Sequence, residues 1–180
     1  MAQNGMLEKL DYDNIPNFGK YVDDSFKSPD YDVNQEYSVP YTWGTVGLIY
    51  NTKYITEEVD SWEILWDEQY SGKILMFSNS RDAFAIALKR LGYSMNTEDP
   101  DELREAAELL MEQKDVVQAY VMDQIFDKMT EENAWVAPYY AGDYITMSET
   151  NEEAPISTIA PQAFLVFSLV TKTTYIFLSE

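Results

Sequence analysis

Short apolar runs alternate with amphipathic stretches along this chain, which predicts strands interleaved with helices. The densest strand signal is residues 36–51, EYSVPYTWGTVGLIYN, where Val, Ile, Tyr and Trp crowd around Pro40, Gly44 and Gly47. Pro40 cannot donate to a ladder and belongs at a strand edge or start. The two glycines mark bends or a close approach of backbone or ligand. Two readings follow: a strand that crosses between lobes and lines a cleft, or a core strand that needs small residues.

Residues 56–70 predict a helix with Ser61 as its N-cap and Trp62 and Trp66 on one face. KILMF at 73–77 predicts a strand. Ser78-Asn79-Ser80 then caps a helix over 81–91, which places Phe84, Ile86, Ala87 and Leu91 on a sheet and stops at Gly92. Pro100 opens another helix, over 101–112, with Asp101 and Glu102 complementing its dipole. A strand at 116–121, a helix at 122–129 and a strand-like 133–137 follow, then an aromatic turn from Pro138 through Tyr139, Tyr140 and Asp143. The class is α/β, a mixed sheet flanked by helices on both faces. Ahead of it, residues 1–35 read as a polar meander with a short helical piece after Asn14. Behind it, residues 155–178 are almost uncharged, and their apolar run at 163–170 is far too short to span a bilayer.

Composition narrows the chemistry. Apolar residues at 46% and aromatics at 14% support a packed core. Thirty-two acidic residues against 12 basic ones, a net charge of -20, argue against nucleic acid or an anionic membrane as a partner. The acidity suits a cationic ligand, or is general solvation. With no Cys and no His, disulfides, thiolate sites, Ser-His-Asp triads and the usual zinc chemistry are excluded. No carboxylate pair stands at a fixed catalytic spacing, so an enzyme is not expected; an oxygen-ligand metal hydrolase is the remaining enzymatic reading, and no motif supports it. Asp11–Asn14 and Ser28–Asn34 have the composition of calcium-loop fragments but lack the central Gly and terminal Glu. No metal or cofactor is expected. The first ten residues contain no apolar export segment.

Three polar-aromatic clusters follow apolar runs: PYTWG at 40–44, SNSRD at 78–82 and PYYAGD at 138–143. Groups just past strand C-terminal ends gather in a crevice. Asp82 and Asp143 would supply charge, Asn79 an amide, and Tyr41, Trp43, Tyr139 and Tyr140 ring faces. That mixture suits an organic ammonium, since carboxylates take its N–H groups and rings attract cations. Ordinary helix capping is the other reading of Ser78, Asn79 and Asp82.

VPYTWGTVGLIYN, the long segment from SWEILW through RDAFAIALKRLGYSMNTEDP, VVQAYVMDQIFDKM and WVAPYYAGDY together resemble the spermidine/putrescine-binding proteins of bacterial ABC importers, over residues 7–152. The resemblance implies a periplasmic binding protein-like lobe, three-layered and incomplete relative to the two-lobe family fold. It implies that two lobes close over a polyamine and deliver it to an ABC permease at the extracytoplasmic face of the membrane. It carries the family's acidic pair onto Asn79 and Asp82, the first an amide here, and an aromatic wall onto Tyr139, with Asp143 close behind. Tyr41 and Trp43 become hinge and cleft-wall groups. Residues 1–45 would then be a first-lobe remnant with the crossover, 46–152 the second lobe, and 153–180 an aberrant apolar tail. A lobe for a different small solute, or a non-functional fragment, are the alternatives.

Overall fold

The computed structural model describes residues 1–150, 156–169 and 175–178, with side chains through residue 149. Strands run over Pro40–Asn51 (β1), Ile74–Phe77 (β2), Val117–Val121 (β3), Val136–Tyr140 (β4), Ile156–Leu169 (β5) and Tyr175–Leu178 (β6). The α-helices are Pro16–Tyr21 (α1), Ser80–Leu91 (α2), Pro100–Gln113 (α3), Ile125–Thr130 (α4) and Ala141–Thr150 (α5). The strands form one mixed sheet in the order β3-β2-β4-β1-β5-β6. β2 is parallel to both β3 and β4, and β1 runs antiparallel to β4, with Val46 opposite Tyr140 and Tyr50 opposite Val136. This is the mixed α/β lobe expected.

The chain divides into two compact units, one built on Met1–Trp43 and the other starting at Gly44. The second unit holds the sheet's core. Every residue of β2 is buried, as a parallel strand covered on both faces requires. Helix α2 follows at once, because Asn79 Oδ1 accepts from the Arg81 N–H at 3.0 Å and frees the chain to turn. Its buried face includes Ala83, Ala85, Ile86 and Leu88. Gly92 stops it at φ 82°, donating its N–H to the carbonyls of Leu88 and Lys89. Helix α3 is capped by Asp99, whose carboxylate accepts from the Asp101 N–H at 2.8 Å, and packs its small Ala106 against Ala87 and Leu88.

Two expectations need correction. The 56–70 segment is not an α-helix: it makes two short 3-10 turns, Trp62–Trp66 and Glu68–Tyr70. At three residues per turn, positions four apart no longer share a face. Trp62 is accordingly buried, while Trp66 is half-buried, donates its indole N–H to the Leu109 carbonyl at 2.9 Å and stacks under Arg90 at 4.5 Å. The aromatic turn at 138–140 is instead the end of β4, and helix α5 begins directly at Ala141. Pairing with β1, where Pro138 sits opposite Leu48, outweighs the local turn signal.

In the first unit, short 3-10 turns surround α1. Asp32 organises its end, accepting from the Glu36 and Tyr37 N–H groups at 2.9 Å each and from the Ser38 hydroxyl at 2.7 Å. Asp11 likewise accepts from the Asp13 N–H and the Asn14 amide. These carboxylates, noted for their calcium-loop composition, are thus engaged by their own loops. The packing expected of residues 153–180 concerns side chains outside those described.

Candidate functional site

Because β2, β3 and β4 are mutually parallel, their C-terminal ends open on one edge of the sheet. Each end is followed by acidic or aromatic residues: Asn79 and Asp82 after β2, Asp123 after β3, and Tyr140 and Asp143 at and after the end of β4.

Asp82 lies in the first turn of α2 and is fully buried. Its Oδ2 accepts from the Tyr140 hydroxyl at 2.9 Å and from the Asn79 amide at 2.8 Å. Its Oδ1 is buried with no hydrogen-bond partner among the described residues. Burial raises the carboxyl above its ordinary range, and the bonds from Tyr140 and Asn79 oppose that rise. Asn79 is occupied at both ends of its amide, as N-cap and as donor to Asp82.

The rings form one packed group. Tyr139 is buried, lies 5.6 Å from Phe77 and 5.1 Å from Tyr140 between centroids, and meets Phe126 edge-on at 6.0 Å. Its hydroxyl donates to Asp123 Oδ1 at 3.2 Å. Asp123 is exposed and Asp143 half-buried. Burial raises the Asp143 carboxyl, and the Asp123 charge adds to the rise.

Of the residues singled out from sequence, Asn79, Asp82, Tyr139 and Asp143 therefore lie in this corner of the second unit. Tyr41 and Trp43 belong to the first unit, where both are exposed and line a hollow of 210 Å³ with Tyr21, Asp23 and Phe26. Asp123 escaped the sequence reading. The rule that picked Asp82 and Asp143, a polar residue just past an apolar strand, also selects Asp123 once 117–121 is taken as a strand of the same sheet.

Comparison with known proteins bears on what this corner belongs to. The model of the family described as bacterial extracellular solute-binding protein matches residues 1–166. The chain belongs to that family. The match covers the corner entirely and runs past residue 152, where the resemblance read from sequence stops. The chain is 37% identical over 107 residues to the spermidine/putrescine-binding periplasmic protein of Escherichia coli K12, an alignment covering 59% of this chain and 30% of the relative. Among solved structures it is similar to the spermidine/putrescine ABC transporter substrate-binding protein PotD of Streptococcus pneumoniae, with 29% identity and a TM-score of 0.76. That likeness covers 94% of this chain and 52% of the other. The TpPotD lipoprotein of Treponema pallidum shares 26% identity at a TM-score of 0.80, over 96% and 56% of the two chains. The chain thus spans about a third to a half of the length of the relatives it matches.

Proposed function

We propose that the chain is part of the solute-recognising component of a bacterial ABC importer and that its solute is a polyamine of the spermidine/putrescine class. The observation that carries this reading is the corner where β2, β3 and β4 end, with Asp82, Asp123 and Asp143 set around the Tyr139–Tyr140 ring group. An ammonium group carries three donors and no acceptor, so carboxylates satisfy it and amide or hydroxyl donors do not. Ring faces attract the cation and pack the methylenes between nitrogens. The net charge of -20 raises the local concentration of any cation approaching the surface. Asn79 serves here by holding Asp82.

Capture takes place at the extracytoplasmic face of the cytoplasmic membrane, and the loaded protein hands its solute to a membrane permease. Nucleic acid is not a partner. A second reading, a different small solute, is favoured by the amide at Asn79, which leaves the first corner with one carboxylate. Calorimetric titration of the chain with spermidine, putrescine, an amino acid and Ca²⁺ tests both. Polyamine heats that shrink from low to physiological salt are expected. Binding of the amino acid or of Ca²⁺ with no polyamine signal would overturn the polyamine assignment.

A further inference from the structure

Tyr41 and Trp43 take no part in the strand-end corner, yet both rings are presented to solvent. They lie two apart on β1, on the same face of the strand, and are 73% and 56% exposed. With Tyr21, itself 69% exposed, and with Asp23 and Phe26 they line a hollow of 210 Å³ lying wholly within the first unit. The Phe26 and Trp43 rings pack together in its wall, 5.9 Å apart between centroids and tilted by 32°. Large apolar side chains left uncovered in one patch mark an interaction site.

Charge narrows what this patch can hold. Asp23 is the one carboxylate lining the hollow. Its Oδ1 accepts from the Ser25 N–H at 2.9 Å and from the Ser25 hydroxyl at 2.7 Å, which fixes the side chain as the cap of a 3-10 turn. The same bonds hold its carboxyl below the ordinary range and keep it charged. Its Oδ2 takes no hydrogen bond among the described residues. The Lys20 ammonium lies 4.8 Å from the centre of the Tyr21 ring, so one ring of the hollow already serves a cation. A primary ammonium brings three N–H donors, more than one spare carboxylate oxygen can meet. A quaternary ammonium brings none; ring faces and one nearby negative charge satisfy it. The hollow is smaller than the about 300–1,000 Å³ of sites for drug-sized ligands, which suits a compact head group.

We infer that this hollow is a binding site, separate from the strand-end corner, for a trimethylammonium group, with Tyr41 and Trp43 as its ring faces and Asp23 as its counter-charge. It does not depend on the polyamine reading, because the corner belongs to the other unit.

The test is calorimetry on the full chain, comparing choline with its neutral isostere in which carbon replaces the nitrogen. Choline is expected to bind about tenfold more tightly, the scale of two exposed cation–ring contacts. Trp43→Leu keeps an apolar side chain and removes the ring; Asp23→Asn keeps an acceptor for Ser25 and removes the charge. Each should cut the choline-to-isostere ratio about threefold, with the thermal midpoint read alongside to show that the fold is kept. Equal binding of choline and its isostere, or binding of neither, overturns the proposal without reference to any variant. A ratio unchanged in both variants overturns the assignment to this hollow. Phosphatidylcholine vesicles separate the sources: choline binding without pelleting on vesicles supports a free solute, and pelleting that choline competes away supports a lipid head group. Putrescine and spermidine titrations of the same chain are a separate readout, so failure of the polyamine reading leaves this site standing.

Discussion

Replacing Asp82 by Asn should make the protein more stable at neutral pH and leave it no better off in acid. The carboxylate is fully buried, and one of its oxygens has no hydrogen-bond partner among the described residues. Burial raises its pKa in the folded state, and the bonds from Tyr140 and Asn79 only partly counter the rise. The sign follows from proton linkage. Below the unfolded value of about 4 the side chain is neutral in both states, and its contribution to stability is fully present. As pH rises toward the raised folded value, the unfolded chain releases its proton first and native stability falls by up to about 1.4 kcal/mol per pH unit. Asn cannot ionise and escapes that loss. Its carbonyl can accept the two bonds now made to Oδ2.

The amide nitrogen that replaces Oδ1 is itself buried and unmet, so the advantage expected for Asp82→Asn at pH 7 is the ionisation cost alone, about 1.4 kcal/mol for each pH unit by which the folded pKa exceeds the unfolded one. Urea unfolding of both proteins from pH 3 to pH 8 at constant ionic strength measures it. The difference in unfolding free energy should be flat near pH 3, grow from about pH 4 upward and level off above the folded pKa. A difference that is independent of pH, or that shrinks as pH rises, would refute the argument. Putrescine added at pH 7 should stabilise the wild type more than Asp82→Asn, because the variant lacks one of the charges that the amine would meet.

Two further outcomes check the scaffold. Ile86, fully buried in α2, should cost about 2–5 kcal/mol when truncated to Ala, read as a lower urea midpoint. Gly92→Ala should cost about 1 kcal/mol by the same measurement: its Cβ would meet nothing within 4 Å, so the cost comes from the left-handed φ of 82° alone.

Where local signal and packing demand agreed, the sequence was readable. KILMF, the Asn79 cap, Gly92 and Asp99-Pro100 each state their role within a few residues, and β2, α2 and α3 occupy the expected places. Two segments misled because their outcome is decided by distant partners. Trp62 and Trp66 have α-helical spacing, but Trp66 reaches the Leu109 carbonyl and Trp62 is buried, which a tight 3-10 turn allows. Pro138 and the tyrosines after it look like a turn until β1 supplies a pairing strand.

The corner was legible in part for the same reason. Asp82 and Asp143 stand beside recognisable strand or helix boundaries, whereas Asp123 acquires its significance only from Tyr139, sixteen positions on in the sequence. That dependence also explains how the fold arranges its charge. A parallel sheet delivers three strand ends to one edge, and each end must turn at once into a polar segment. Asp82 is tied down by the neighbouring helix cap and by Tyr140, and Asp123 by Tyr139, so the rings closing β4 hold carboxylates belonging to two other strand ends. Substituting a ring at 139 or 140 should therefore disturb acidic groups far from it in sequence, and a solute that needs those acids in fixed positions should respond to ring changes it never touches.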